Sequence, residues 1–190
     1  MAENASALLV PWGSFYVMTG SSAAALTGLM FVVITLVMGT QRLTQSRDGV
    51  STFSTPTVVH FCSALFVSAL LAAPWHALTY VAGLLAAAGL CGIVYVLRIA
   101  FRTRKIENYS ADVEDWSWYI VLPLLSYAAM AGGGIGLFFA PHPALFALAG
   151  SALVQIFIGI HNAWDVVTFI AIAEAEAKKA ADAGAAAKSE

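Results

Sequence analysis

Five apolar blocks decide what this chain of 190 residues can become. They cover 15–38, 58–73, 77–97, 119–139 and 145–172. Most are about 20 residues or longer, the helix length that crosses roughly 30 Å of hydrocarbon. Backbone in lipid must satisfy its own polar groups, so blocks of this length fold as transmembrane helices. With 60% hydrophobic and 11% charged residues, nothing is left over for a soluble domain. The prediction is an all-α, polytopic membrane bundle of five transmembrane helices over residues 1–175. A short tail over 176–190 is expected to be helical at first and frayed beyond about Asp182.

Charge placement orients that bundle. All nine Lys and Arg fall in three places: Arg42 and Arg47, the stretch from Arg98 to Lys105, and Lys178, Lys179 and Lys188. The start of the chain and the turns near Trp75 and His142 have none. The positive-inside rule then puts the N-terminus outside and the C-terminus in the cytoplasm, in a plasma membrane of the bacterial inner type. The opening Met-Ala-Glu-Asn-Ala-Ser lacks the basic region of a signal peptide, so the first helix is expected to be retained. A chain of this kind meets the lipid bilayer first, and homo-oligomers or a membrane complex second. Nothing in it addresses nucleic acid.

Local signals refine the helices. Pro11-Trp12-Gly13 suits an interfacial anchor. Gly20, Ala24 and Gly28, and again Ala128, Gly132 and Gly136, form rows of small residues that let helices approach closely. Gly132-Gly133-Gly134 should leave the fourth helix locally soft. The linker 41–52 is polar, with Gly49 as a breaker, and the second helix is expected to start with Ser54 or Thr55 as N-cap and Pro56 in its first turn. Cys62 and Cys91 lie in apolar helices and read as buried, space-filling thiols.

The two Pro-containing turns suggest an internal repeat. Ala73-Pro74-Trp75-His76-Ala77-Leu78 aligns with Ala140-Pro141-His142-Pro143-Ala144-Leu145 at an offset of 67 residues. The same offset matches Pro56 with Pro123, Gly92-Ile93 with Gly159-Ile160, His60 with Tyr127 and Tyr95 with Asn162. Helices two and three would then be a hairpin repeated, in the same orientation, as helices four and five. Arg98 and Asp165 take equivalent positions, which suggests an ion pair between them.

The fifth helix carries the candidate site. His161, Asp165 and Thr168 share a face at 100° per residue, with Asn162 beside them. A carboxylate near a bilayer centre costs roughly 2.5–3.5 kcal/mol on insertion scales, so Asp165 needs compensation. His161 and Asp165, four residues apart, are spaced to meet. Ser151, Gln155 and Gly159 continue a polar seam along the same helix. The candidate site for a proton, cation or small solute is therefore Asp165, His161, Asn162, Arg98, His60 and Gln155. His60, His161 and Asp165 are the only metal-ligand set on offer, and a haem b between His60 and His161, or a metal ion, is the cofactor alternative. No nucleophile–base–orienter set, phosphate loop or zinc spacing is present, which leans against an enzyme. Transport through the polar site and a non-catalytic scaffold role are the two leading functional expectations.

Overall fold

The computed structural model describes residues 5–39, 47–103 and 116–186, and every regular element among them is helical. A short helix, Ala5–Leu9, and a 3₁₀ turn, Val10–Trp12, lead into α1, Gly13–Gly39. The proline of the interfacial Pro-Trp-Gly sits in that 3₁₀ turn, where its missing N–H costs no helical hydrogen bond. Then come α2, Arg47–Ala72, and α3, Leu78–Thr103. A π-helical turn, Ser117–Val121, opens α4, Leu122–Gly136, and α5 runs from Pro141 to Ala186.

Four stretches are long and apolar enough to cross a membrane: Ala7–Thr35, Leu78–Phe101, Ser117–Gly136 and Pro141–Thr168. A fifth apolar stretch, Pro56–Ala72, is shorter. This is the build of an integral membrane protein. At 1.5 Å per residue, the 46 residues of α5 span about 69 Å, twice the hydrocarbon thickness. Its C-terminal part therefore projects well beyond the apolar layer, and the helix continues past Asp182 to Ala186.

The start of α2 differs from expectation. The helix begins at Arg47, so Gly49 does not break it and Pro56 lies inside it. Residues 40–46 of the expected linker lie outside the described set. An interior proline removes the N–H that would bond the Thr52 carbonyl. Bundles tolerate this where neighbouring helices cover the break, and Pro56 is buried. At Pro123 the chain uses another device. The π-turn before it bonds Leu122 N–H to Ser117 O, five residues back, so α4 proper starts with proline in its first turn.

Helices α2 and α5 pack along their lengths, as do α3 and α4, and α4 and α5. Helix α1 lies mainly on α2, with a smaller contact to α5. The consecutive helices α2 and α3 barely touch. Each helix of the α2–α3 pair thus packs on a helix of the α4–α5 pair. In the centre, His60 of α2 meets Tyr127 of α4, and Ser63 meets Met130, both pairs 67 residues apart.

Two glycines make the close packing possible. A Cβ on Gly92 of α3 would overlap the Tyr127 ring, and one on Gly159 of α5 would overlap the Phe61 ring. These glycines are also 67 residues apart, and each seats an aromatic ring from the partner pair of helices. The small-residue rows read from sequence pack closely only at one end each, Gly20 against Ser68 and Gly136 against Ala144. Gly28 and Gly132 have nothing within 4 Å of an added Cβ, and Ala24 and Ala128 are exposed. Further close-packed positions are Gly89 against the backbone of Ala131, Gly133 against Leu148, and Gly134 against the backbone of Ala82 and Ala86. Gly132-Gly133-Gly134 is accordingly regular helix wedged between two neighbours. Cys62 and Cys91 are free and exposed on the outer surface of the bundle, contrary to the expected burial. A thiol is apolar enough to face lipid, so hydrophobic context alone does not separate the two placements.

Candidate functional site

The polar residues separate into two groups. The first is the bundle centre. Gln155, at the middle of the Pro141–Thr168 stretch, is fully buried. Its Nε2 donates to Ser151 Oγ at 3.3 Å and approaches the Met130 sulfur at 3.8 Å. Ser63 Oγ approaches the same sulfur at 3.9 Å from α2. Ser126 and Ser151 bond each other's backbone reciprocally: Ser151 Oγ donates to Ser126 O at 2.9 Å, and Ser126 Oγ to Ser151 O at 3.1 Å. His60, 2% exposed, places Nδ1 3.1 Å from the Tyr127 hydroxyl, and the ring tautomer decides which group donates. Three helices are thereby joined through one uncharged polar cluster.

The second group lies toward the end of the bundle that carries Arg98. His161 Nδ1 is 3.2 Å from Asp165 Oδ2, as the four-residue spacing requires. The contact is that of an ion pair when the ring is protonated. Trp118, from the π-turn, stacks flat on the His161 ring, with centroids 3.9 Å apart and planes at 9°. The carboxylate is 40% exposed, which relieves part of the burial cost expected for it. Thr168 turns back to the carbonyls of Trp164 and Asp165 and adds nothing to the pair.

Asn162 lies between the groups. It is fully buried, and both of its amide atoms, like Gln155 Oε1, find no hydrogen-bond partner among the described residues. Arg98 is exposed on α3, which packs on α4, and the carboxylate of Asp165 is met by His161 instead. His60 and Tyr127 meet, whereas Arg98 and Asp165 share no contact among the described residues. His76 and His142 are exposed near the opposite turns.

His60 is engaged by Tyr127 and His161 by Trp118 and Asp165, so the proposed ligand set is divided between two partners. Among the described residues no three His, Cys, Asp or Glu side chains converge as metal ligands. Ser63, Ser126 and Met130 escaped sequence reading, because single hydroxyls and a methionine in apolar helices carry no periodic signal. Trp118 stands among several aromatics, and nothing in its position along the chain marks it as a partner of His161. Tyr127 had one pointer, its match with His60 at the repeat offset.

Fold and site together define a class: a polytopic α-helical membrane protein with an uncharged polar centre and a His–Asp pair near one end. Comparison with protein-family models, with curated proteins and with solved structures finds no match.

Proposed function

We propose that this is a five-span plasma-membrane protein, N-terminus outside, whose polar row on α5 takes up a proton, cation or small solute from the cytoplasmic side. The observation that carries it is the row itself. Asp165 and His161 stand partly exposed near the basic end, and the buried Asn162 and Gln155 continue toward mid-membrane with polar atoms that have no partner among the described residues. Buried polar groups of a fold that serves only itself are normally hydrogen-bonded, and intramembrane polar groups that are not mark pathways. The orientation rests on the placement of Lys and Arg. A duplicated hairpin accounts for the pairs His60–Tyr127 and Ser63–Met130 and for the two ring-seating glycines, all at the same offset.

The test is flux in proteoliposomes over a pH series. Asp165→Asn is expected to fold at least as well as the parent, since a neutral amide is easier to bury, and to lose pH-dependent flux. Parent-like flux in that variant would overturn the role of Asp165. Adding Arg98→Gln should change stability additively, to within about 0.5 kcal/mol, because the two side chains share no partner among the described residues. The orientation is checked by labelling introduced cysteines: Arg47 and Lys179 positions from the cytoplasmic side, Trp75 and His142 positions from outside.

A second reading, an accessory or scaffold subunit of a membrane complex, is favoured by the reciprocal Ser126–Ser151 bonding, which does nothing but lock α4 to α5. It predicts no flux in the parent protein.

A further inference from the structure

The buried part of the row on α5 differs chemically from its exposed end. Among the described residues, the buried polar side chains are Thr, Ser, His, Gln and Asn, with no Asp, Glu, Lys or Arg. The carboxylate is confined to the partly exposed end, beside His161. A cation moved into the low-dielectric centre would meet no charge to balance it there, at a high desolvation cost. A neutral molecule meets no such barrier.

The unpartnered atoms say what such a molecule must offer. Asn162 is fully buried and presents both a donor, Nδ2, and an acceptor, Oδ1, without protein partners among the described residues. An occupant that satisfies both must itself accept and donate within a few ångströms. Gln155 is seven residues further along the same helix, about 10 Å at 1.5 Å per residue, and on the same buried face. Its Nε2 is held by Ser151 and Met130, so only the acceptor Oε1, without a partner among the described residues, is left for an incoming donor.

The neighbours of Asn162 follow from the α2–α5 register. Ile156 clusters with Ala64, and Gly159 seats Phe61, so the helices run antiparallel and Asn162 falls one turn on, level with Thr57, Val58 and Val59, just past Pro56. Pro56 has no N–H to give the helix there.

We propose that Asn162 and Gln155 are successive stations for a small neutral solute with both donor and acceptor capacity, of the water, ammonia, urea or glycerol kind. This rests on the reading of the α5 row as a path, and it narrows what that path admits.

The experiment uses the full chain in proteoliposomes. Stopped-flow measurements follow water, urea and glycerol by light scattering, and ammonia by an internal pH dye. Parallel assays follow Na⁺, K⁺ and protons. Permeability to at least one neutral probe is expected to exceed that of protein-free liposomes several-fold. Asn162→Leu, close in size and lacking the amide, should return it to the protein-free value. That variant removes two unpartnered polar atoms from the interior and should unfold at or above the parent temperature, which separates lost permeation from lost folding. Asn162→Gln, which keeps an amide, should retain part of the permeability. Unchanged neutral permeability in Asn162→Leu overturns the inference. Flux of Na⁺, K⁺ or protons without neutral permeation overturns it too, while leaving the α5 path standing. Absence of flux for every probe removes both and leaves the scaffold reading.

Discussion

Gly92→Leu is expected to unfold the bundle, while Gly83→Leu on the same helix leaves it intact. At Gly92 a Cβ would already overlap the Tyr127 ring, and leucine adds three further carbons on the face that packs against α4. Tyr127 is 2% exposed and tied to His60, so it cannot swing aside without stranding a buried imidazole. Overpacking a close-packed site costs about 1–3 kcal/mol, more where backbone must move. Here a polar contact is lost as well, and the total should reach about 3–4 kcal/mol, a large part of a typical domain's stability. At Gly83 nothing lies within 4 Å of an added Cβ. The added side chain meets lipid, and the change should fall within about 0.5 kcal/mol. Thermal unfolding of both variants in detergent makes the comparison. Equal stabilities would mean that α3 does not lie on α4 in this register.

His60 and Tyr127 should prove energetically coupled. Tyr127→Phe removes the hydroxyl that meets His60 Nδ1 and leaves a buried ring nitrogen without that partner. The expected loss is about 1–2 kcal/mol, in the range for an unsatisfied buried group and at the upper end for polar contacts between membrane helices. His60→Leu should cost less, because it removes a buried polar ring and leaves only one hydroxyl, that of Tyr127, without its partner. The double variant replaces the pair by apolar groups of similar shape. It should lose about 1 kcal/mol less than the two single losses added together. Simple additivity in this cycle would rule the pair out as a structural unit and, with it, the central meeting of α2 and α4.

The helical membrane character was legible because lipid imposes a length and an apolarity on any segment that crosses it. Four of the five blocks became stretches long enough to span, and the second stayed the shortest, as its composition foretold. The His161–Asp165 pair was legible for a comparable reason: four residues on one helix meet whatever surrounds them. Helix starts were less so. Pro56 signalled a first turn, yet α2 begins at Arg47, because burial by neighbours lets a helix run through proline.

What the sequence could not carry was azimuth between helices. Apolar residues line lipid-facing and buried faces alike, so no hydrophobic stripe says which side turns inward. The glycine rows show this: Gly132 looks as fit for packing as Gly133, but only the latter has a neighbour. The cysteines, expected inside, face outward for the same reason. The Arg98–Asp165 pairing failed on geometry of this kind, since equal depth on two helices does not bring them together.

The sequence by itself determined the number of apolar segments, the end of the bundle that gathers positive charge, and the meeting of His161 with Asp165 on one helix. These follow from local periodicity and from the cost of charge in hydrocarbon. Only the tertiary structure decided that α2 packs on α5 and not on α3, that His60 faces Tyr127, and that Asn162 is buried without a partner among the described residues. Those depend on how side-chain shapes interlock across helices distant in sequence, and in lipid, where apolarity is the same inside and out, shape and hydrogen bonding are the forces that choose.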